Sequence, residues 1–196
     1  GGAGFIGSNF VLRYVRGHSQ EPVIVLDKLT YAANQKYLDP IAASIRFVHG
    51  DIADTPLVEK LVKEHSIDTI LNFAAETHVD RSIDDPSPFL TTNVLGVASL
   101  IEVCRRNSSI HLVHVSTDEV YGDLEDGERA KLPDDPLRPS SPYAASKAAG
   151  DLLLLAAKRT YGIRLNIIRC TNNYGPHQAS EKFIPTVIRC ALGKQP

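Results

Sequence analysis

The chain opens with Gly1-Gly2-Ala3-Gly4-Phe5-Ile6-Gly7, a Gly-x-x-Gly-x-x-Gly loop that leads directly into a helical pattern over residues 6–16. Glycines at this spacing allow a tight turn, close approach of a pyrophosphate and close packing of a helix on a sheet. Asp27 follows 20 residues after Gly7, at the end of a β-rich run. A carboxylate there can accept hydrogen bonds from both ribose hydroxyls and repels a 2′-phosphate, which favours NAD over NADP. The loop and Asp27 together predict a dinucleotide-binding fold.

Apolar, β-branched runs alternate with helical patterns along the rest of the chain, which is typical of βαβ units and a parallel sheet. The sequence predicts strands at residues 23–26, 45–48, 69–73, 110–116 and 165–169, and helices at residues 6–16, 57–65, 88–106, 142–161 and 182–192. A strand is expected before a glycine loop of this kind. We therefore expect an α/β, doubly wound, Rossmann-like parallel sheet whose first strand and most of whose C-terminal substrate domain are missing. Residues 1–170 are predicted to form the NAD-binding domain, and residues 171–196 to begin the substrate-binding region.

Composition excludes several classes of function. The 196 residues, 43% of them hydrophobic, suffice for one sizeable core. Lys and Arg number 21 against 23 Asp and Glu, so the chain lacks the basic footprint of a nucleic-acid binder. The three cysteines are widely spaced and form no metal-binding pattern. The densest apolar stretch, residues 152–157, is too short for a membrane span, and we expect no signal peptide. We expect a cytoplasmic protein without nucleic-acid, membrane or metal partners.

Two acids stand where the fourth predicted strand ends, in Thr117-Asp118-Glu119. Adjacent acids in one loop can divide acid and base work if their surroundings separate their pKa values. Tyr143 and Lys147 share one face of the next predicted helix, and a Ser-Pro start puts Tyr143 in its first turn. The positive helix end and the ammonium both favour the phenolate, so we expect a lowered pKa for Tyr143. Alone, each pattern also fits solvated side chains; together they favour oxidation of a sugar carbon followed by elimination of water.

Two further strand ends carry weaker signals. Asp51, in Gly50-Asp51-Ile52, follows the second predicted strand, where its carboxylate can meet an adenine amino group. A turn or helix-capping aspartate explains Asp51 equally well. Ala74 and Ala75 end the third strand and would let the backbone approach the pyrophosphate or the nicotinamide ribose. Such small residues also serve ordinary tight packing.

The chain resembles the extended short-chain dehydrogenase/reductases and, within them, the nucleotide-sugar 4,6-dehydratases. The matching stretches cover nearly the whole chain and comprise residues 1–8, 27–31, 74–82, 116–122, 140–147 and 172–176. Thr-Asp-Glu is the specific part, because related 4-epimerases share the Tyr/Lys pair but typically lack the adjacent Asp-Glu. Ser180 departs from the proline that the family usually has before its Glu-Lys pair, which affects loop stiffness more than chemistry.

The resemblance implies conversion of a nucleoside-diphosphate glucose to its 4-keto-6-deoxy derivative with NAD as cofactor, and it favours dTDP-glucose as the substrate. It implies that Tyr143, assisted by Lys147, takes the proton of the 4-hydroxyl, to which Thr117 is bonded. Glu119 would then remove the C5 proton, and Asp118 would protonate the departing 6-hydroxyl. The alternatives are a UDP-glucose 4,6-dehydratase, a nucleotide-sugar 4-epimerase and a non-catalytic NAD-binding regulator, although regulators generally lose the Tyr or the Lys.

The resemblance also implies a set of contacts and a homodimer paired through helices 88–106 and 142–161. Cofactor contacts are expected from Gly1, Gly4, Phe5, Ile6, Gly7, Asp27, Lys28, Asp51, Ile52, Ala74, Ala75, Thr77, Asn93, Ser116, Tyr143, Lys147 and Cys170. Substrate contacts are expected from His78, Ser82, Thr117, Asp118, Glu119, Tyr143, Asn172, Glu181 and Lys182.

Overall fold

The computed structural model describes residues 1–193, which divide into two compact units. Unit 1 comprises Gly1–His49 and residues 172–193, and unit 2 comprises Gly50–Thr171. Of the region predicted to begin the substrate-binding part, Lys194, Gln195 and Pro196 lie outside the described residues.

Helices and parallel strands alternate along the chain. In chain order the elements are helix α1 (Phe5–Gly17), strand β1 (Val23–Asp27), a 3₁₀ helix (Gln35–Ser44), β2 (Ile45–His49), α2 (Thr55–Glu64), β3 (Thr69–Asn72), α3 (Val79–Asp84), α4 (Ser87–Phe89), a π-helical turn (Leu90–Leu95), α5 (Gly96–Arg106), β4 (His111–Thr117), a 3₁₀ turn (Asp118–Tyr121), α6 (Pro142–Tyr161), β5 (Arg164–Cys170) and α7 (Phe183–Gly193).

Unit 1 is built on the parallel pair β1–β2, in which Val23 lies opposite Ile45 and Asp27 opposite His49. The apolar side chains of β1 and of one face of α1 meet because the glycine loop brings the helix close to the strand. A Cβ atom on Gly2 would lie 2.6 Å from Cγ1 of Val25, so a side chain at this position would separate them. The core of this unit consists of Ala3, Val11, Val15, Val25, Leu38 and Ile41.

Unit 2 is built on three parallel strands in the order β3–β4–β5. Helix α6 begins as its sequence predicts, because the Ser141 Oγ accepts a hydrogen bond from the Ala144 N–H at 3.1 Å and Pro142 follows at the first helical position. The helix ends at Gly162, whose φ of 68° closes it in the left-handed conformation. Fully buried side chains of this unit include Val97, Leu100, Val103, Ile110, Leu112 and Leu154.

All five predicted strands and all five predicted helices are present, with ends that differ by at most two residues in most cases. The main difference is the helix predicted over residues 88–106, which is divided into α4, the π-helical turn and α5. Two short elements are present that the sequence does not predict: the 3₁₀ helix Gln35–Ser44, which contains Pro40, and helix α3. Short helices of this kind carry too little periodicity to be recognised from sequence.

One helical stretch has the length and the apolar composition of a membrane-spanning helix. The continuous helical stretch Ser87–Arg106 is long and apolar enough to cross a membrane by length and composition, although we expected no such stretch. Within its most apolar window, 44% is buried inside the structure. Core helices pass the same test, so a single helix of this kind is weak evidence for a membrane span.

Candidate active site

The carboxyl end of β4 carries the two predicted acids. Thr117 closes the strand, and its Oγ1 accepts a hydrogen bond from the Glu119 N–H at 3.3 Å, which starts the 3₁₀ turn. The same hydroxyl lies 3.3 Å from Oδ1 of Asp118 and also hydrogen-bonds the side chain of Tyr143. Thr117 is buried, Asp118 is half-buried and Glu119 is exposed. The structure therefore gathers four of the predicted catalytic residues around one hydroxyl group.

Tyr143 is fixed by the short helices before α5. Its backbone N–H donates a hydrogen bond to Oγ of Ser82 at 3.0 Å, and this hydroxyl donates to the carbonyl of Val79 at 2.5 Å. The phenol ring packs edge-on against Phe89, with ring centroids 6.4 Å apart. Ser82 was predicted to bind substrate; the contact that the structure shows is with the backbone of Tyr143, and substrate binding by Ser82 stays a prediction.

The expected lowering of the Tyr143 pKa is wrong for this structure. Burial raises the pKa of Tyr143 above its usual range, and the nearby Glu119 carboxylate raises it further. The hydrogen bond from Thr117 acts in the opposite direction and lowers the pKa, but by less. The sequence reveals the helix end and the lysine, whereas the burial of the ring and the approach of Glu119 come from tertiary structure. The phenol is therefore protonated at neutral pH in this state.

Lys147 is buried beside β4. Its Nζ donates a hydrogen bond to the carbonyl of Val115 at 2.8 Å and lies 3.5 Å from Nε2 of His114. Burial lowers the pKa of Lys147 to about 8, while the charges of Asp151 and Cys170 act to raise it. The ammonium form is thus retained at neutral pH and lost just above it.

Asn93 ties the loop after β3 to helix α6. Its Oδ1 accepts from the Glu76 N–H at 2.9 Å, and its Nδ2 donates to the Glu76 carbonyl at 3.0 Å and to Oγ of Ser146 at 2.9 Å. The Ser146 hydroxyl in turn donates to the carbonyl of Tyr143 at 2.7 Å. These bonds hold residues 74–77, which include Ala74, Ala75 and Thr77, next to the start of α6. π-Helical turns such as the one that carries Asn93 are frequent at functional sites.

Two of the predicted contact residues have buried polar atoms without a partner in the described part of the chain. These atoms are Oγ of Ser116 and Nδ1 of His78. An unpaired buried polar atom costs about 1–3 kcal/mol, so proteins rarely keep one without a use for it. Both atoms are candidates for hydrogen bonds to a bound molecule or to water.

The glycine loop of unit 1 fits a bound pyrophosphate. A Cβ atom on Gly7 would lie 2.2 Å from the carbonyl oxygen of Gly1, whereas one on Gly4 would lie 3.5 Å from it. No side chain caps the start of α1, and its first turn holds no acidic residue. Its N–H groups are therefore not masked by a side chain and can receive an anion.

Asp27 lies at the end of β1, as predicted, and is 5% exposed. Its Oδ2 accepts from the Ala3 N–H at 2.9 Å and its Oδ1 accepts from the Leu29 N–H at 2.8 Å. Each carboxylate oxygen has two lone pairs, so both can accept one further hydrogen bond. The backbone bonds fix the orientation of the carboxylate that we predicted to hold a ribose.

The other predicted contacts are distributed over both units. In unit 2, Asp51 accepts from the Ala53 N–H at 3.0 Å, which is the turn role left open for it. Ile52 is buried against Gly96, and Sγ of Cys170 lies 3.4 Å from the carbonyl of Ser116. In unit 1, Phe5 is half-buried and Lys182 likewise, while Ile6, Lys28, Asn172 and Glu181 are exposed.

Unit 1 also contains an open groove of about 680 Å³. It is lined by Asn9 and Arg13 of α1 and by the stacked rings of Tyr37 and His177, whose centroids are 4.0 Å apart. No residue predicted to bind cofactor or substrate lines this groove. Among residues 1–193, no group of three or more His, Cys, Asp or Glu side chains could hold a metal ion.

Sequence reasoning missed a buried ionic cluster next to Lys147. It consists of His114 on β4, Asp151 on α6 and Arg169 on β5, and the Arg169 Nε donates to Oδ2 of Asp151 at 2.8 Å. One signal was available, because Asp151 follows Lys147 by four residues and Tyr143 by eight, so all three share a helix face.

With this geometry established, comparison with known proteins shows what the chain is similar to. The family model described as "NAD dependent epimerase/dehydratase family" matches residues 1–196. The chain belongs to this family. The doubly wound, Rossmann-like fold predicted from the glycine loop is confirmed by its parallel sheets and by its structural neighbours in the family.

Curated and solved family members are similar over the whole chain. The chain is 51% identical to the dTDP-glucose 4,6-dehydratase of Mycobacterium tuberculosis (strain CDC 1551 / Oshkosh), covering 100% of this chain and 59% of that protein. The structure of DesIV, a dTDP-glucose 4,6-dehydratase from Streptomyces venezuelae with NAD and TYD bound, matches with a TM-score of 0.91 and 47% identity, over 99% of this chain and 61% of DesIV.

A family member with another activity matches less closely. The UDP-glucose 4-epimerase of Thermus thermophilus, in complex with NAD, gives a TM-score of 0.86 at 34% identity, over 100% of this chain and 62% of the epimerase. The chain therefore spans about three fifths of the length of the family members that it matches.

Proposed function

We propose that the full-length protein is an NAD⁺-dependent dTDP-glucose 4,6-dehydratase. The observation that carries the proposal is the carboxyl end of β4, where Thr117 links Asp118, Glu119 and Tyr143 through one hydroxyl group. An epimerase needs a base at the 4-hydroxyl but no acid–base pair for elimination. The adjacent carboxyl groups supply that pair, and the 51% identity to a curated dehydratase supports the same substrate class.

The first proton transfer falls to Tyr143. The phenol is protonated in the structure, so Tyr143 acts as the base only once its pKa is lowered, and its phenolate then accepts the proton of the glucose 4-hydroxyl. We assign to the Lys147 ammonium the stabilisation of this anion and the binding of the nicotinamide ribose. The Thr117 hydroxyl has one proton, which can serve either Asp118 or Tyr143 at a given moment. When Tyr143 is ionised and Asp118 holds the proton that it later donates, the bond to the phenolate is the stronger one, because charge-assisted hydrogen bonds are about twice as strong as neutral ones.

The two acids carry out the elimination. Once C4 is a ketone, the C5 proton becomes acidic, and Glu119 accepts it. Asp118 donates a proton to the departing 6-hydroxyl, which leaves as water. After hydride has been delivered to C6, C5 takes back a proton from Glu119, whose proton exchanges with solvent. Glu119 is exposed and Asp118 is half-buried, so the two carboxyl groups have different surroundings, as a base and an acid side by side require.

The residues present fit NAD⁺. The glycine loop would hold its pyrophosphate and Asp27 a ribose, and the carboxylate of Asp27 disfavours a 2′-phosphate. When bound, the cofactor supplies the hydride acceptor for C4 and the hydride donor for C6, so the reaction has no net redox change. We assign residues 1–170 to the NAD-binding domain and residues 171–196 to the start of the substrate-binding region, and we expect the protein in the cytoplasm.

We further propose that the protein is a homodimer paired through the helices of residues 88–106 and 142–161. Large apolar side chains stand exposed on both, among them Leu95 at 61% and Leu152 at 56%. A leucine pair on α6, Leu152 and Leu155, suits the test. In the full-length protein, L152E/L155E should convert a dimer to a monomer by light scattering, because two charges would be buried in the interface. The matched control Leu124→Glu, at a leucine 57% exposed outside these helices, should leave the dimer intact.

Product analysis tests the function. The full-length protein is incubated with NAD⁺ and either dTDP-glucose or UDP-glucose, and the sugar is examined by NMR. A 4-keto-6-deoxy sugar formed faster from dTDP-glucose supports the proposal. Faster turnover of UDP-glucose would show that the substrate carries UDP and not dTDP. A galactose product would show that the protein is a 4-epimerase. No turnover of either sugar would contradict an enzymatic role.

A further inference from the structure

Behind Lys147 lies the buried ionic cluster of His114, Asp151 and Arg169, which the proposed mechanism does not use. The Asp151 side chain is 0% exposed, and the Arg169 side chain is 12% exposed. Taking a carboxylate out of water costs several kcal/mol unless charges and hydrogen bonds replace its hydration. The position of this carboxylate one helical turn beyond Lys147 therefore calls for a physical explanation.

The Asp151 carboxylate is satisfied on one side only. Oδ2 accepts from the Arg169 Nε at 2.8 Å, whereas Oδ1 has no hydrogen-bond partner in the described part of the chain. Nε2 of His114 lies 3.9 Å from Oδ1, which is too long for a hydrogen bond. Arg169 therefore compensates one oxygen of the carboxylate by a hydrogen bond and leaves Oδ1 without one.

His114 lies next to both Asp151 and Lys147 and is uncharged. The Asn72 Oδ1 accepts from the Ala74 N–H at 3.1 Å, so its Nδ2 group faces Nδ1 of His114 at 3.0 Å. Nδ1 must then be the acceptor, which assigns the ring proton to Nε2. Burial, and next the charge of Lys147, lower the pKa of His114 to about 2, so the ring is uncharged.

Because His114 Nε2 carries a proton, it cannot accept from Lys147. The Lys147 Nζ instead donates to the carbonyl of Val115 at 2.8 Å. A neutral carbonyl and a neutral imidazole cannot compensate a buried ammonium. Asp151, one helical turn beyond Lys147, carries a negative charge that favours the protonated form of Lys147 and is the largest cause that raises its pKa.

We propose that Asp151, held in place by Arg169, is a positioning residue that keeps the buried Lys147 side chain protonated and oriented. The inference rests on the proposed function only in the use that it gives to Lys147. Arg169 sets how strongly Asp151 acts, because its guanidinium attracts the same carboxylate and leaves Oδ1 without a hydrogen bond. The cluster thereby adjusts the pH range in which Lys147 is charged.

The titratable groups that face Lys147 and Asp151 come from four elements. Strand β4 contributes His114, and strand β5 contributes Arg169 and Cys170, the second of which also raises the pKa of Lys147. Helix α6 contributes Tyr143, one turn before Lys147. The 3₁₀ turn contributes Tyr121, which contacts Arg169, and the acids Asp118 and Glu119, which act on Tyr143.

Arg169 has a second role that a control can separate from the first. Its Nη1 donates to the Tyr121 hydroxyl at 2.6 Å and to the carbonyl of Pro133 at 2.7 Å. These bonds anchor the loop that follows the 3₁₀ turn and do not involve Asp151. Tyr121→Phe removes the first of them and leaves the ion pair unchanged, so it is the matched control for structural effects near Arg169.

The test is a direct titration of Lys147 in the full-length protein. Lysine is labelled with ¹³C at Cε, the Lys147 signal is identified by its loss in Lys147→Arg, and the pKa is read from its pH dependence. In Asp151→Asn we expect the Lys147 pKa to fall by about one pH unit or more, because an opposite charge nearby is lost. In Arg169→Gln we expect it to rise, because Asp151 then acts without a competing cation. Tyr121→Phe should leave it unchanged.

Opposite directions in the first two variants separate the proposal from simple damage, which has no reason to move the pKa both ways. Unchanged pKa values, or shifts of the same sign in both, would overturn it. If Asp151→Asn does not fold, the Lys147 pKa in Arg169→Gln alone tests the proposal: a rise supports it, and no rise contradicts it. The readout is independent of turnover, so the inference can fail while the dehydratase activity is found, and the activity can be absent while the pKa values shift as expected. Where turnover is found, the alkaline limb of kcat/KM should move with the Lys147 pKa in each variant.

Discussion

The ends of β1 and β4 are both buried strand ends with polar side chains, yet their electrostatics differ. At the end of β1, both oxygens of Asp27 accept backbone N–H bonds, and the glycine loop that supplies one of them has no room for a Cβ atom at Gly2 or Gly7. At the end of β4, the pKa values of Tyr143 and Lys147 are displaced from their usual range, and Oγ of Ser116 is buried without a partner among the described residues. The first region is suited to binding, which needs fixed shape; the second is suited to chemistry, which needs groups with shifted pKa values.

The largest expected effect is at the β4 end. In the full-length protein, Tyr143→Phe should lower kcat by about 10³-fold, because the group that we propose as proton acceptor for the 4-hydroxyl is lost. NAD⁺ affinity, measured by calorimetry, should change little, since the ring is retained. The control Tyr121→Phe removes a hydroxyl about as buried, in a tyrosine 8% exposed against 7% for Tyr143. Equal losses in both variants would contradict a specific role for Tyr143.

The next effect is at the glycine loop and should show the reverse pattern. Gly7→Ala places a Cβ atom 2.2 Å from the Gly1 carbonyl and 2.9 Å from Cα of Gly2, so the loop must shift. We expect NAD⁺ affinity to fall by about tenfold or more, a loss of roughly 1.4 kcal/mol, with a lower Tm. Calorimetry and thermal unfolding measure the two quantities.

Gly17 provides the matched control for this variant on the same helix. A Cβ atom there would meet no atom within 4 Å. Gly17→Ala should therefore leave NAD⁺ affinity unchanged and stabilise the protein by less than about 1 kcal/mol. Similar losses of affinity in both variants would show that the loop geometry at Gly7 is not what binds the dinucleotide.

The smallest effect is a pH dependence that only the β4 end should produce. Burial lowers the pKa of Lys147 from its usual value near 10.5 to about 8, so the ammonium is present below pH 8 and is lost as the pH rises through it. We expect kcat/KM to decline above about pH 8. A profile that stays flat to pH 10 would show that Lys147 remains charged there or is not needed for catalysis.

Much of the fold could be predicted because its signals are local. The start of α6 follows from the Ser141-Pro142 cap, and the βαβ alternation follows from apolar runs of strand and helix length. The π-helical turn that interrupts the predicted helix 88–106 could not be predicted from local sequence signals. It coincides with Asn93, whose side chain bonds Glu76 and Ser146, and the second of these is 53 residues away in sequence.

The site was predictable in its residues but not in its electrostatics. Thr117, Asp118, Glu119 and Tyr143 meet as their positions on β4 and α6 suggest. The predicted direction of the Tyr143 pKa shift was wrong. Burial raises this pKa by more than the positive helix end can lower it, and the extent of burial depends on tertiary packing that the sequence does not show. The Asp151–Arg169 pair was missed for the same reason, since it joins a helix to the following strand across 18 residues.

Solvent exchange at C5 tests most directly the claim that the acids at the end of β4 turn oxidation into dehydration. The full-length protein and its Glu119→Gln variant are incubated with dTDP-glucose and NAD⁺ in D₂O, and the sugar is analysed by NMR and mass spectrometry. We predict a 4-keto-6-deoxy product with deuterium at C5 for the unmodified protein and no deuterium at C5 for the variant. Equal incorporation of deuterium by both proteins, or a product that retains the 6-hydroxyl, would contradict the account.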